Sequence, residues 1–149
     1  MKRFAFPLEH VLNYKIHLQK NEKAILMDLQ SRHQKLLAER DALTAKLSDC
    51  CREYAALCLK GAQVGEIVGY AVYLEELRRE LEKLEEAVCK SQEAVDRQTG
   101  KVVAVNKEKR GLEILKDKQF GLYLAMARRE DERSIEEYVA TATPSAAWR

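Results

Sequence analysis

Between residues 70 and 112 the positions of one stripe step alternately by four and by three. They fall at Tyr70, Leu74, Leu77, Leu81, Leu84, Val88, Ser91, Val95, Gln98, Val102, Val105, Lys109 and Leu112. Nine of those thirteen are Leu or Val, and Tyr70 adds a tenth apolar side chain. A repeat averaging about 3.5 residues keeps a narrow apolar seam turned toward a partner helix, which is the signature of a coiled coil. The seam is too thin to cover a globular core. It predicts a rod.

A less regular stripe precedes it: Leu8, Val11 or Leu12, Leu18, Ile25, Leu29, Leu36, Leu43, Leu47, Cys50, Tyr54 and Leu57. Arg32 and His33 interrupt this stripe, so pairing there is expected to be weaker. Pro7 suits a first-turn position and Glu9 the positive end of a helix dipole. No glycine or proline follows until Gly61, which opens the glycine-bearing stretch Lys60–Gly69. That stretch is the one strong break.

The pattern predicts an all-α fold, a long antiparallel two-stranded coiled-coil helical hairpin whose second helix is the longer. Helix 1 is expected over 7–59, the turn over 60–69 and helix 2 over 70–139, all in a single domain 1–139, with a flexible tail at 140–149. A turn centred near residue 64 or 65 sets residue i opposite about 129 minus i. Leu47 would then lie near Leu81, and Val11 near Lys118. After Leu112 the next apolar residues are Leu115, Leu122 and Met126, which predicts a stammer, a three-residue phase shift.

Composition agrees with charged helices: 34% of the 149 residues are charged and 7% aromatic. The net charge of +2 argues for neither nucleic acid nor an anionic membrane as partner. No run of about 18 apolar residues is present, so no membrane insertion is expected, and the charged start predicts no secretory signal. Cys50, Cys51, Cys58 and Cys89 lack metal-ligand spacing, which fits reduced thiols in a cytosolic protein. His10 and His17 are seven apart and His33 is distant, so no zinc helix motif forms. Gly61, Gly65 and Gly69 lack the lysine-serine or lysine-threonine of a phosphate loop. The acids lie on convex faces with no cleft to perturb them. No catalytic residue, metal or cofactor is expected, and the chain reads as a protein that is not an enzyme.

What such a surface offers is contact. Lys101–Lys118 holds six bases against three acids, whereas Glu75–Glu86 holds six acids against three bases. The basic stretch, with Lys107, Lys109 and Arg110, is a candidate dock for an acidic protein surface. Phe4 and Phe6 emerge at the same end as the apolar side of an overhang from Leu122 to Val139, which includes Met126 and Tyr138. At the turn end Tyr54, Tyr70 and Tyr73 gather around the glycines. Tyr73, next to Leu77, falls outside the seam and is the candidate anchor there.

The opening Phe4-Ala-Phe6-Pro-Leu8-Glu9-His-Val11-Leu12 resembles the start of the FliJ family, coiled-coil components of the bacterial flagellar type III export apparatus. The resemblance continues at Tyr54, at Gly69-Tyr70-Ala-Val-Tyr73-Leu74-Glu75-Glu-Leu77 and at Lys107-Glu-Lys-Arg110-Gly-Leu112-Glu113-Ile-Leu115-Lys116. It ends in Arg129-Glu130-Asp131-Glu132-Arg-Ser-Ile135-Glu136-Glu137-Tyr138, and so spans about residues 4 to 138. It implies a stalk-like protein without nucleotide of its own, similar to the coiled-coil stalk of rotary ATPases. The implied partners are the export ATPase FliI as a hexamer, the membrane export gate protein FlhA, and export chaperones. The implied location is the cytoplasm, peripheral to the inner-membrane export apparatus, with the isolated chain a monomer. The Phe4-x-Phe6-x-Leu8 opening leans toward the flagellar system over the equivalent stalk of virulence secretion. A generic coiled-coil scaffold or a holdase chaperone is the reading from another class, and an elongated monomer in light scattering would speak against it.

Overall fold

Gly61 ends the first helix. Its φ of +72° lies in the left-handed region, and the Ala62 amide bonds the Leu57 carbonyl at 3.3 Å. That pairing reaches back five residues from a left-handed glycine, which is the Schellman closure of a helix C-terminus. Gln63 then opens the next helix, its carbonyl accepting from the amides of Glu66 and Ile67. Glu66 stands in that first turn, where the dipole favours an acid. The connection is therefore three residues long, within the range of a helical hairpin loop.

The computed structural model describes residues 2–143. Among the described residues every regular element is helical: α1 (Glu9–Lys60) and the longer α2 (Val64–Ala142), packed against each other. The turn is shorter than the glycine spacing predicts, and α2 begins at Val64 rather than near residue 70. Gly65 and Gly69 are simply helical; only Gly61 has a positive φ. Each helical glycine costs about 1 kcal/mol against alanine, an amount that the half-buried Ile67 and Tyr70 beside them can offset. Helix α2 also runs through 140–142, while residues 144–149 of the expected tail lie outside the described residues.

Contacts divide the chain into two compact units: Lys20–Val103, and the residues up to Gln19 together with those from Ala104 onward. In the Lys20–Val103 unit the seam predicted on α2 is the buried stripe, with Leu74, Leu77, Val95, Gln98 and Val102 at its heart. On α1 the seam keeps the same alternation, and this corrects two details. Leu26 rather than Ile25 turns inward, and His33 does not interrupt the seam but lies within it, 8% exposed. Gln98 donates to the backbone carbonyl of Glu22 at 3.0 Å and also bonds the Glu22 carboxylate.

In the other unit Phe6 and Leu12 are buried, and the α2 stripe continues through Val105, Lys109 and Leu112. The expected stammer is absent. The stripe stays in phase through Lys116, Gln119 and Tyr123, leaving Leu115, Leu122 and Met126 at 38%, 67% and 62% exposure. Polar seam residues hold the phase because they find partners: Lys116 Nζ reaches Glu9 at 2.8 Å, and Lys109 Nζ donates to Gln19 at 2.9 Å. Long lysine stems cover apolar surface while the ammonium reaches a carboxylate at the edge.

Cross-helix bonds also correct the register. Glu9 meets Lys116, Lys15 meets Glu108 and Gln19 meets Asn106 in one unit; Glu22 meets Gln98 and Glu53 meets Tyr70 in the other. Residue i thus faces about 124 minus i, because the turn is centred on Ala62. Leu43 rather than Leu47 takes the register position opposite Leu81.

Candidate functional site

No group of three or more His, Cys, Asp or Glu residues able to hold a metal occurs among the described residues. Among the described residues no helix is long and apolar enough to cross a membrane. Two surfaces bring the candidate residues together, one within each unit.

Near the turn, Cys50, Glu53, Leu57, Glu66, Gly69, Tyr70 and Tyr73 line an open groove. Tyr54 and Tyr70 are half-buried because they complete the last seam layers. The Tyr70 hydroxyl donates to Glu53 at 3.2 Å, and this bond to a carboxylate raises the phenol pKa above its usual 10.0. Tyr73 stands outside the seam as expected, with the Lys46 ammonium 5.8 Å from its ring centroid. Leu77 does not share that exposure. At 3% it is core, since its place in the alternation points it at α1.

At the chain's opening, Phe4 stacks edge-on against Phe120 with centroids 5.2 Å apart, and lies 5.5 Å from Tyr123. Tyr123 also donates its hydroxyl to the Lys2 carbonyl at 3.0 Å. Such aromatic pairs contribute about 0.5–1.5 kcal/mol beyond their burial. Phe4 is thus half-buried and Phe6 buried, so neither projects as a free contact. Phe120 and Tyr123 escape the sequence reading, which follows Leu122 and Met126 into a new phase. The available signal is the old phase, which reaches Tyr123 without a break.

The basic stretch is largely committed within its own unit. Lys109 and Arg110 both approach Glu113, at 3.5 and 3.4 Å, and Lys15 pairs with Glu108. Lys107 and Lys118 are exposed and form no ion pair among the described residues. Met126 and Tyr138 are exposed, and from Arg128 to Thr143 every residue of the chain is.

The model of a family described as flagellar FliJ protein matches residues 4–143. The chain belongs to the FliJ family. That family is one of flagellar export, a structural export component and not an enzyme family. Neither the curated proteins nor the solved structures contain a match to this chain. FliJ membership joins the two long helices to the flagellar export apparatus.

Proposed function

We propose that this FliJ-family protein is a stalk-like, non-enzymatic part of flagellar type III export, coupling the export ATPase ring to the membrane export gate and to export chaperones. The observation that carries it is the family match across residues 4–143, on a chain of two long helices packed against each other. The reading places the protein in the cytoplasm, peripheral to the inner-membrane apparatus and monomeric when alone.

Within this reading the unit that includes Phe4 and Lys107–Arg110 meets the ATPase, with Met126 and Tyr138 as its apolar contacts. The turn meets the gate through Tyr73, whose exposed ring is the anchor, flanked by the half-buried Tyr54. An exposed tyrosine buries much area at little entropic cost, which suits a hot spot. Replacing Tyr73 with alanine should weaken binding to the gate's cytoplasmic domain at least about tenfold, with helicity by circular dichroism unchanged. An unaltered affinity would remove Tyr73 from the interface. Pull-down against the export ATPase and the gate domain tests the coupling role as a whole. A stable dimer or hexamer of the isolated chain in light scattering would favour the scaffold reading instead.

A further inference from the structure

The unit formed by residues up to Gln19 and from Ala104 onward carries a second apolar surface, beside the seam and largely exposed among the described residues. On α1 it consists of Val11, Tyr14 and Leu18, spaced i, i+3 and i+7. On α2 it consists of Lys107, Gly111, Leu115, Lys118 and Leu122, in steps of four, four, three and four that keep one helical face. Val11, Tyr14, Leu115 and Leu122 are all exposed.

The Lys15–Glu108 ion pair puts both rows on the same side of the helix pair. Lys15 is one turn from both Val11 and Leu18, and Glu108 is one turn from Gly111 and two from Leu115. A bond between those side chains draws the two rows to one flank. From Lys107 to Leu122 that flank is about 22 Å long at 1.5 Å per residue, which matches a helix of about four turns. Gly111 leaves open space in the row, since a Cβ there would meet nothing within 4 Å.

Charge decides the occupant. Lys107 and Lys118 stand in the α2 row without an ion-pair partner among the described residues, and the one acid of the face, Glu108, is held by Lys15. We infer that this face binds an acidic amphipathic helix of another protein, laid along α1 and α2 as a third helix. Leucine-like side chains of that helix would cover Val11 and Leu115, and its carboxylates would meet Lys107 and Lys118. This docking does not depend on which partner the ATPase-facing or gate-facing assignments name.

The test uses the full chain and a synthetic 21-residue helical peptide carrying leucines on one face and glutamates on its flanks. Fluorescence anisotropy should show saturable binding that falls at least about tenfold in the Lys107→Glu/Lys118→Glu variant. A Lys83→Glu/Lys90→Glu variant of equal net charge should bind like the parent. Leu115→Ser/Leu122→Ser should also lose the peptide, with circular dichroism unchanged because both side chains are exposed. Equal weakening by the Lys83/Lys90 control, or equal binding of a scrambled peptide of the same composition, would reduce the effect to bulk charge and overturn the inference. So would a dimer in light scattering that Leu115→Ser/Leu122→Ser dissolves, because the face would then belong to a second copy. No export component enters the assay, so its failure is separate from failure of the coupling role.

Discussion

Leu77→Ala and Leu122→Ala form a pair of substitutions that tests the seam phase directly. Leu77 is 3% exposed on the α2 face turned toward α1, whereas Leu122 is 67% exposed although its residue type is the same. Truncating a buried leucine costs about 2–5 kcal/mol, rising with the cavity that remains. Among the described residues no side chain is fully enclosed, so the void at Leu77 opens toward water and the cost belongs near the lower end, about 2–3 kcal/mol. At about 3 °C per kcal/mol for a chain of this length, the midpoint should fall about 6–9 °C. Leu122→Ala removes little buried area and should cost less than about 0.5 kcal/mol. Thermal melts followed by circular dichroism at 222 nm measure both. Equal losses, or the larger loss at Leu122, would mean that the seam does shift phase after Leu112 and that the burial pattern argued above is wrong.

Glycines at the turn should separate by backbone conformation: Gly65→Ala, helical and with nothing within 4 Å of the added Cβ, should raise stability by up to about 1 kcal/mol, whereas Gly61→Ala, at φ +72°, should lower it by about 1 kcal/mol or more in urea titrations. The Tyr70 phenol has a raised pKa because it donates to Glu53, so its contribution is complete below pH 10 and is lost as pH rises through the raised value. Ultraviolet titration of the parent against Tyr70→Phe should locate that ionisation above 10, and Glu53→Gln should bring it back toward the ordinary range. His33 is buried with Nδ1 unpartnered, so His33→Leu should stabilise the chain by about 1–2 kcal/mol, and a lower melting midpoint would show that the imidazole has a partner there.

The seam of α2 was legible because its physical cause is local: a 3.5-residue repeat leaves one stripe to bury, whatever lies opposite. The turn was not, because glycine content signals conformational freedom without saying whether it is used. Gly61 alone uses it, and moving the turn centre to Ala62 shifts every cross-strand pairing by about five residues. His33 and Lys116 are hidden from the pattern for a related reason. A polar residue looks like an interruption until its surroundings are known, and the partner of Lys116 is supplied by the other helix. For the candidate site, Tyr73 was placed outside the seam by its phase alone. Leu77, four residues on, is itself a position of the predicted seam, and its burial follows from the same phase. Phe4 was read as free because its partners Phe120 and Tyr123 are over a hundred residues away.

Those polar seam positions carry an argument about specificity. An unbroken stripe of leucine and valine would pair almost as well one heptad out of register, since each layer resembles the next. Layers such as Glu22–Gln98 and Glu9–Lys116 reduce that degeneracy, because a slipped register would leave the buried Gln98 amide without its partner at about 1–3 kcal/mol and the partly exposed Lys116 without its ion pair at a smaller cost. Each matched layer adds little stability by itself, as partly exposed ion pairs contribute at most about 1 kcal/mol. Their effect is on the gap between the right pairing and the wrong ones. Each compact unit holds at least one polar layer, so each unit carries its own register marks. A three-residue loop then has only to bring the chain back, while the choice of partner for every leucine is made along the helices themselves.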